Sequence, residues 1–207
     1  MQHLDYSQQA TWQQADDTPF QSPIDINQQQ VKPMTASNLG ITFQGQTTYD
    51  DRVVGEQFLV NGTLQLAGET WQLERFYFHD GAEHLIDGQR HDAEIHFVFL
   101  QGERVLVLAV LADASREVTS TPIAAIFNGP VAATTLVALL PTERAYYRYV
   151  GSLTTPPLGR DVTWLVLAQP IMIAPADVAL LHAHYPENYR EVQALAGREI
   201  LSIPDEK

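Results

Sequence analysis

The chain of 207 residues contains no cysteine, which excludes disulfide bonds and thiolate metal sites. Basic residues are also scarce. Only 12 Lys and Arg stand against 25 Asp and Glu, and the formal net charge is −13. This charge disfavours nucleic acid and anionic membrane surfaces as partners, because both are polyanions. We interpret it as serving solubility.

Long hydrophobic runs are absent too. No apolar stretch approaches the roughly 20 residues of a membrane-spanning helix, so no membrane association is expected. Residues 1–5 carry neither the basic residues nor the apolar core of a signal peptide. We therefore expect a cytoplasmic protein, with export and removal of a leader as the alternative. The oligomeric state stays open.

The residues that are present predict one globular domain over residues 1–207. Hydrophobic residues make up 45% of the chain, enough for a substantial core. Short β-rich segments separated by turn residues predict a mainly β (α+β) fold with few helices. The predicted strands are 57–60, 63–66, 71–79, 94–100, 105–111, 146–150 and 162–168, and the predicted helices are 121–127 and 175–183.

Two of these predictions are specific enough to test. Asn61-Gly62 lies between alternating segments and predicts a hairpin turn, because both turn positions favour positive φ. Residues 105–111 are apolar at every position, which is typical of a central strand covered on both faces.

Two strand segments carry a small polar group. Side chains two residues apart share one face of a strand, so Tyr77 and His79 point the same way, as do Glu94 and His96. If the strands are neighbours, His79 and His96 converge with Tyr77. A catalytic zinc needs three protein ligands and one open position for water. Taken alone, however, two histidines on apolar strands are more often packed core residues than ligands.

The chain resembles the alpha-class carbonic anhydrases along nearly its whole length. The matching positions are Tyr6, Trp12, 21–26 (Gln-Ser-Pro-Ile-Asp-Ile), 76–79, Glu83-His84, 94–96, 152–157 (Ser-Leu-Thr-Thr-Pro-Pro), 162–164, 188–193 and Gly197-Arg198, although Glu191 and Ala194 stand where prolines are usual. The resemblance implies a single domain with a central twisted, mostly antiparallel sheet of about ten strands, short peripheral helices and a cavity on one face.

The resemblance also assigns roles to individual residues. His79 and His96 are two of three expected zinc ligands, and Glu94 orients His96. Thr154 accepts the hydrogen bond of a metal-bound hydroxide and is itself oriented by Glu83. The remaining assignments are a structural histidine, His84, and a carbon dioxide pocket formed by Val98, Val107, Leu153, Thr155 and Trp164.

Three departures from the family pattern cluster on one side of the site. Tyr77 stands where the first histidine ligand is expected, Arg75 where a glutamine supports that histidine, and Glu56 where active members often carry a proton-shuttle histidine. A phenol has a reference pKa of about 10 and must lose its proton to bind metal well. Its negative charge would also make metal-bound water less acidic.

The other two departures have weaker consequences. Arg75 either favours the phenolate, repels zinc or pairs with an acid at the cavity edge. Glu56 is a poor proton shuttle at neutral pH, because the reference pKa of a glutamate is about 4.3. His91, His182 and His184 are not expected to supply the missing ligand, given the geometry of a tetrahedral site.

We therefore expect a carbonic-anhydrase-like protein whose zinc is weakly bound or absent and which hydrates little or no carbon dioxide. It would act as a binding or regulatory module for a small molecule, such as carbon dioxide, bicarbonate or another small anion. The alternative is an active zinc lyase with an unusual ligand set that includes Tyr77. Nothing in the composition favours a storage or purely structural role.

Overall fold

The computed structural model describes residues 3–12 and 18–206. Met1 and Gln2, to which the signal-peptide expectation refers, lie outside these ranges. The strands are β1 (Asp25–Ile26), β2 (Lys32–Pro33), β3 (Gly40–Arg52), β4 (Gly55–Leu66), β5 (Glu69–Asp80), β6 (Leu85–Ile86), β7 (Gln89–Arg90), β8 (Ala93–Gln101), β9 (Arg104–Ala114), β10 (Tyr146–Ser152), β11 (Arg160–Leu167), β12 (Ile171–Ile173) and β13 (Leu201–Ile203). The helices are α1 (Ile123–Asn128), α2 (Pro175–His184) and two 3-10 helices, Tyr6–Thr11 and Ala133–Leu139. Both predicted helices are confirmed.

A ten-stranded mixed sheet dominates the structure, in the order β2-β13-β10-β11-β9-β8-β5-β4-β3, with β12 also paired to β9. Most of the pairings are antiparallel, and the parallel ones are β9 with β11, β9 with β12 and β2 with β13. The mostly antiparallel sheet of about ten strands is confirmed. A second, three-stranded sheet joins β1, β6 and β7.

Strand β9 lies inside the large sheet, between β8 and β11. Its side chains alternate between two hydrophobic clusters, because successive residues of a strand point to opposite faces. Leu106, Leu108 and Val110 join the larger cluster, whereas Val107 and Ala109 join the smaller one. The prediction of a strand covered on both faces is confirmed. Neither α-helix among the described residues has the length and apolarity needed to cross a bilayer.

The hairpin predicted at Asn61-Gly62 is wrong. Strand β4 runs straight through this dipeptide and pairs with β3 on one side and β5 on the other. The chain turns instead at Ala67-Gly68, where both φ angles are positive, at 50° and 81°. Glycine at position 62 allows the backbones of β3 and β4 to lie close together, because a Cβ atom there would lie 2.1 Å from the carbonyl oxygen of Thr42.

This contact predicts that Gly62→Ala destabilises the fold by about 3 kcal/mol, the upper end of the usual overpacking range, because backbone rather than a flexible side chain must move. Gly159→Ala is the matched control, since nothing lies within 4 Å of a Cβ atom there, and its effect should stay below about 1 kcal/mol. Urea unfolding of both variants measures the difference. Equal unfolding free energies would contradict the role given to Gly62.

Candidate functional site

The register between β5 and β8 assembles the polar group. Tyr77 lies opposite His96, and His79 lies opposite Glu94. The ring centroids of His79 and His96 are 4.5 Å apart, and that of Tyr77 lies 5.5 Å from His79 and 5.3 Å from His96. The sequence expectation that these three rings converge is therefore met by the geometry.

In its neutral form, each of the two imidazoles directs an unprotonated nitrogen into the site. His79 donates its Nδ1 proton to the carbonyl oxygen of Asn188 at 2.5 Å, and His96 donates its Nε2 proton to Glu94 Oε1 at 2.6 Å. Because a neutral imidazole has one donor and one acceptor nitrogen, lone pairs remain on His79 Nε2 and His96 Nδ1. Burial lowers the pKa of His79, which keeps its ring neutral. The two inner nitrogens lie 3.1 Å apart.

Glu94 is the buried anchor of this arrangement. Its Oε1 also accepts the Nδ1 proton of His84 at 2.7 Å, and its Oε2 accepts the His84 backbone N–H at 2.8 Å. His84 Nε2 in turn lies 2.7 Å from the Tyr149 hydroxyl. Burial alone would raise the pKa of Glu94, but its electrostatic interactions and hydrogen bonds with His84 and His96 hold it well below its ordinary value. These contacts fix the orientation of His96.

Glu83 and Thr154 do not form the hydrogen bond that the family resemblance implies. Glu83 Oε1 accepts the backbone N–H of Arg190 at 2.7 Å. Glu83 Oε2 and Thr154 Oγ1 are both buried and have no hydrogen-bond partner within the described part of the chain. Glu83 Oε2 instead lies 3.5 Å from His79 Nε2 and 4.0 Å from His96 Nδ1.

Tyr77 brings a neutral phenol to the site. Burial raises its pKa, and the charges of Glu83 and Glu94 raise it further, although Arg75 acts in the opposite direction. Arg75 is paired with its neighbour Glu74, which does not line the two cavities at the site. At neutral pH the Tyr77 hydroxyl therefore keeps its proton and offers metal a poor ligand.

Glu56 is engaged by two neighbours. Tyr49 donates its hydroxyl proton to Glu56 Oε1 at 2.6 Å, and His184 donates its Nδ1 proton to Glu56 Oε2 at 3.0 Å. The imidazole missing from position 56 in the chain thus has a spatial counterpart in His184. His182 and His91 pair with Asp80 and Asp113 instead.

The apolar residues expected to form a substrate pocket cluster beside His96. Val98 pairs with Val107 across β8 and β9, and Val107 pairs with Trp164 across β9 and β11. All three are fully buried, and Leu153 packs against their cluster. The Trp164 ring lies 5.0 Å from the His96 ring.

The space in front of the site is narrow. An inner cavity of about 20 Å³ is lined by Tyr77, His79, Thr155, Tyr6 and Tyr185, among others. This volume holds about one water molecule. Tyr6 and Tyr185 also line a wider outer cavity of about 460 Å³, whose walls are residues 3–7 and 184–189 together with Gln9, Val54, Gly55 and Glu191.

Sequence reasoning missed several residues that shape the site. Asn188 fixes the tautomer of His79 through its carbonyl oxygen and accepts the Asp80 backbone N–H at 2.7 Å through its side chain. Arg190 holds one oxygen of Glu83 through its backbone N–H. Both lie in the C-terminal block that matches the family pattern, and that match was the available signal. Tyr185 carried no signal in the sequence.

Fold and site together define a mixed β-sheet protein with buried histidines and carboxylates at the sheet centre. Residues 7–203 match the family model of the eukaryotic-type carbonic anhydrases, so the chain belongs to the alpha carbonic anhydrase family. It is 33% identical over 203 residues to a carbonic anhydrase of Pectobacterium carotovorum, covering 87% of this chain and 79% of that one.

Solved structures agree with this assignment. The Photobacterium profundum alpha-carbonic anhydrase superposes with a TM-score of 0.79 at 30% identity, over 89% of this chain and 90% of that one. Carbonic anhydrase Cah3 from Chlamydomonas reinhardtii, in complex with acetazolamide, has a TM-score of 0.83 and covers 98% of both chains. Its identity of 22% makes it a likeness of fold.

Alpha carbonic anhydrases generally use zinc, and part of the donor set here fits a metal. Two groups of buried side chains could hold an ion: His79, Glu83 and His96, and His84, Glu94 and His96. The second group already uses its polar atoms in hydrogen bonds. The set does not fit a three-nitrogen zinc site, because Tyr77 stands at the third nitrogen's position with a protonated phenol.

We predict that Glu94→Gln destabilises the protein by about 3 kcal/mol at pH 7, because a partner of two buried histidines is lost. The folded-state pKa of Glu94 lies below its ordinary value of 4.5. Its contribution is therefore present above about pH 4.5 and is lost as the pH falls through the folded pKa. The variant should consequently lose less stability than the unaltered chain between pH 5 and pH 3.

Urea unfolding at a series of pH values measures both effects. Glu103→Gln, at an exposed position of the β8–β9 turn, is the control and should follow the unaltered chain. Parallel pH profiles for the unaltered chain and Glu94→Gln would contradict the assignment of Glu94 as a buried anion.

Proposed function

We propose that this protein is a carbonic anhydrase relative with a severely weakened zinc site and little or no carbon dioxide hydration. It acts as a module that binds a small molecule in the retained cavity. A neutral phenol, Tyr77, stands where a third imidazole would hold zinc, and this observation carries the proposal. A hydratase of this kind needs an ion that lowers the pKa of bound water to about 7. Two imidazoles alone are two of the three ligands that such a site requires.

The surroundings of the site support the same conclusion. The Thr154 hydroxyl has no partner within the described residues, so nothing here holds it in the orientation expected for receiving a hydroxide. Glu56 is occupied by Tyr49 and His184. The inner cavity of about 20 Å³ leaves little room for a substrate beside the histidines.

A small molecule is the ligand class that suits the cavity. Relatives in solved structures bind sulfanilamide and acetazolamide, which are small molecules. The outer cavity of about 460 Å³ is within the usual size range of such sites. Its wall includes the acids Asp5, Glu187 and Glu191, so among the ligands expected from the sequence the neutral carbon dioxide suits this cavity better than bicarbonate or another small anion.

An active zinc lyase with an unusual ligand set is the second candidate. The inward-facing nitrogens of His79 and His96 favour it, because their 3.1 Å separation is close to the roughly 3.3 Å between two nitrogens of a tetrahedral zinc site. Glu94 still orients His96 as a metal ligand requires.

The decisive experiment restores the third imidazole. We expect Tyr77→His combined with Arg75→Gln to raise zinc affinity at least about 100-fold, since even the loss of a residue that only supports a ligand costs about 10- to 100-fold. Carbon dioxide hydration, measured by stopped flow, should rise with zinc occupancy. Tyr77→Phe combined with Arg75→Gln is the matched control and should change neither quantity.

The unaltered chain provides the other half of this test. Metal analysis of protein purified without chelator should find zinc well below one equivalent per chain, with hydration close to the uncatalysed rate. One equivalent of zinc together with rapid hydration would overturn the proposal in favour of the active lyase.

A further inference from the structure

With both histidine rings neutral, three hydrogen-bond acceptors converge at the centre of the sheet. His79 Nε2 and His96 Nδ1 carry lone pairs, because each ring donates its proton outwards. Glu83 Oε2 is an acceptor as well, is buried, and has no hydrogen-bond partner within residues 3–12 and 18–206. Unpaired acceptors that face one another in a buried site are costly, and a shared cation removes that cost.

The spacing of these three atoms suits a transition-metal ion. Their separations are 3.1, 3.5 and 4.0 Å. The nearest point equidistant from all three lies in their plane, about 2.1 Å from each, which matches the usual zinc–nitrogen and zinc–oxygen distances of about 2.0–2.2 Å.

The nearby alternatives are less suitable as the third ligand. Tyr77 carries a phenol, which must lose its proton to bind metal well. Glu94 already accepts three hydrogen bonds from His84 and His96. Glu83 is the carboxylate whose second oxygen remains free for a metal.

We propose that the protein binds a divalent first-row transition ion through His79, His96 and Glu83, with Tyr77 beside the ion but not bound to it. Two imidazoles and one carboxylate form a donor set that proteins use for Zn²⁺ and Fe²⁺. The family resemblance makes Glu83 a residue that orients Thr154; here Glu83 becomes a ligand and Thr154 loses its partner.

The proposal rests on the weakened zinc site described above and specifies its donors. A carboxylate ligand brings a negative charge to the ion, whereas an imidazole brings none. A bound ion would therefore acidify water less than it would with three imidazoles. The zinc site is then weakened because its third ligand is a carboxylate instead of an imidazole, and not because a third ligand is missing.

The test compares metal affinities of three proteins: the unaltered chain, Glu83→Gln and Tyr77→Phe. Zn²⁺ affinity is measured by competition with a chromogenic chelator, and Co²⁺ is added separately because its visible spectrum reports its donors. We expect Tyr77→Phe to match the unaltered chain within about two-fold and to keep its cobalt spectrum. Glu83→Gln should weaken both ions by at least about 100-fold, since even the loss of a residue that only supports a ligand costs up to that amount.

Circular dichroism and thermal unfolding establish that each variant is folded, and Glu83→Asp supplies a second variant that keeps the charge. Glu83→Asp should bind metal more tightly than Glu83→Gln. Equal affinities for the unaltered chain and Glu83→Gln would overturn the proposal, as would a large loss in Tyr77→Phe. Failure of the unaltered chain to bind either ion at millimolar concentration would overturn it as well.

These outcomes are independent of the proposed function. Slow hydration with metal binding that does not depend on Glu83 overturns only this inference. Rapid hydration with binding that does depend on Glu83 overturns only the proposed loss of activity.

Discussion

The register between β5 and β8 is the constraint on which the site depends. It sets Tyr77 opposite His96 and His79 opposite Glu94, so one pair of strands supplies both imidazoles, the phenol and the carboxylate that orients His96. A shift of one residue would turn all of these side chains towards the other face of the sheet. The register is held on both sides, because β4 pairs with β5 and β9 pairs with β8.

The electrostatics of the site follow from this placement. Each inner histidine has a fixed acceptor on its outer side: a backbone carbonyl for His79 and a carboxylate for His96. These outer contacts determine the tautomers, and the tautomers determine that lone pairs face inwards. The site is thus organised to receive positive charge even though Tyr77 has replaced one donor. The hydrogen bonds that orient His79 and His96 are present beside Tyr77, whereas the one expected between Glu83 and Thr154 is not.

Much of the architecture could be predicted from the sequence, because apolar runs and alternation directly reflect burial. Strand β9 and the convergence of His79 and His96 with Tyr77 are examples. The predicted turn at Asn61-Gly62 does not form, because the turn preference of this dipeptide is outweighed by the pairing of β4 with strands on both sides. Gly62 is needed there because Thr42 lies so close. The contact between Glu56 and His184 joins residues 128 positions apart, and no sequence pattern around either residue predicts it. The free oxygen of Glu83 depends on side-chain geometry that no spacing encodes.

The small inner cavity has a kinetic consequence. Space for about one water molecule separates Tyr77 and His79 from the wider outer cavity, and Tyr6 and Tyr185 border both spaces. A ligand larger than water can reach the histidines only while one of the bordering side chains is displaced. The rate of that displacement then limits the association and dissociation rates of such a ligand.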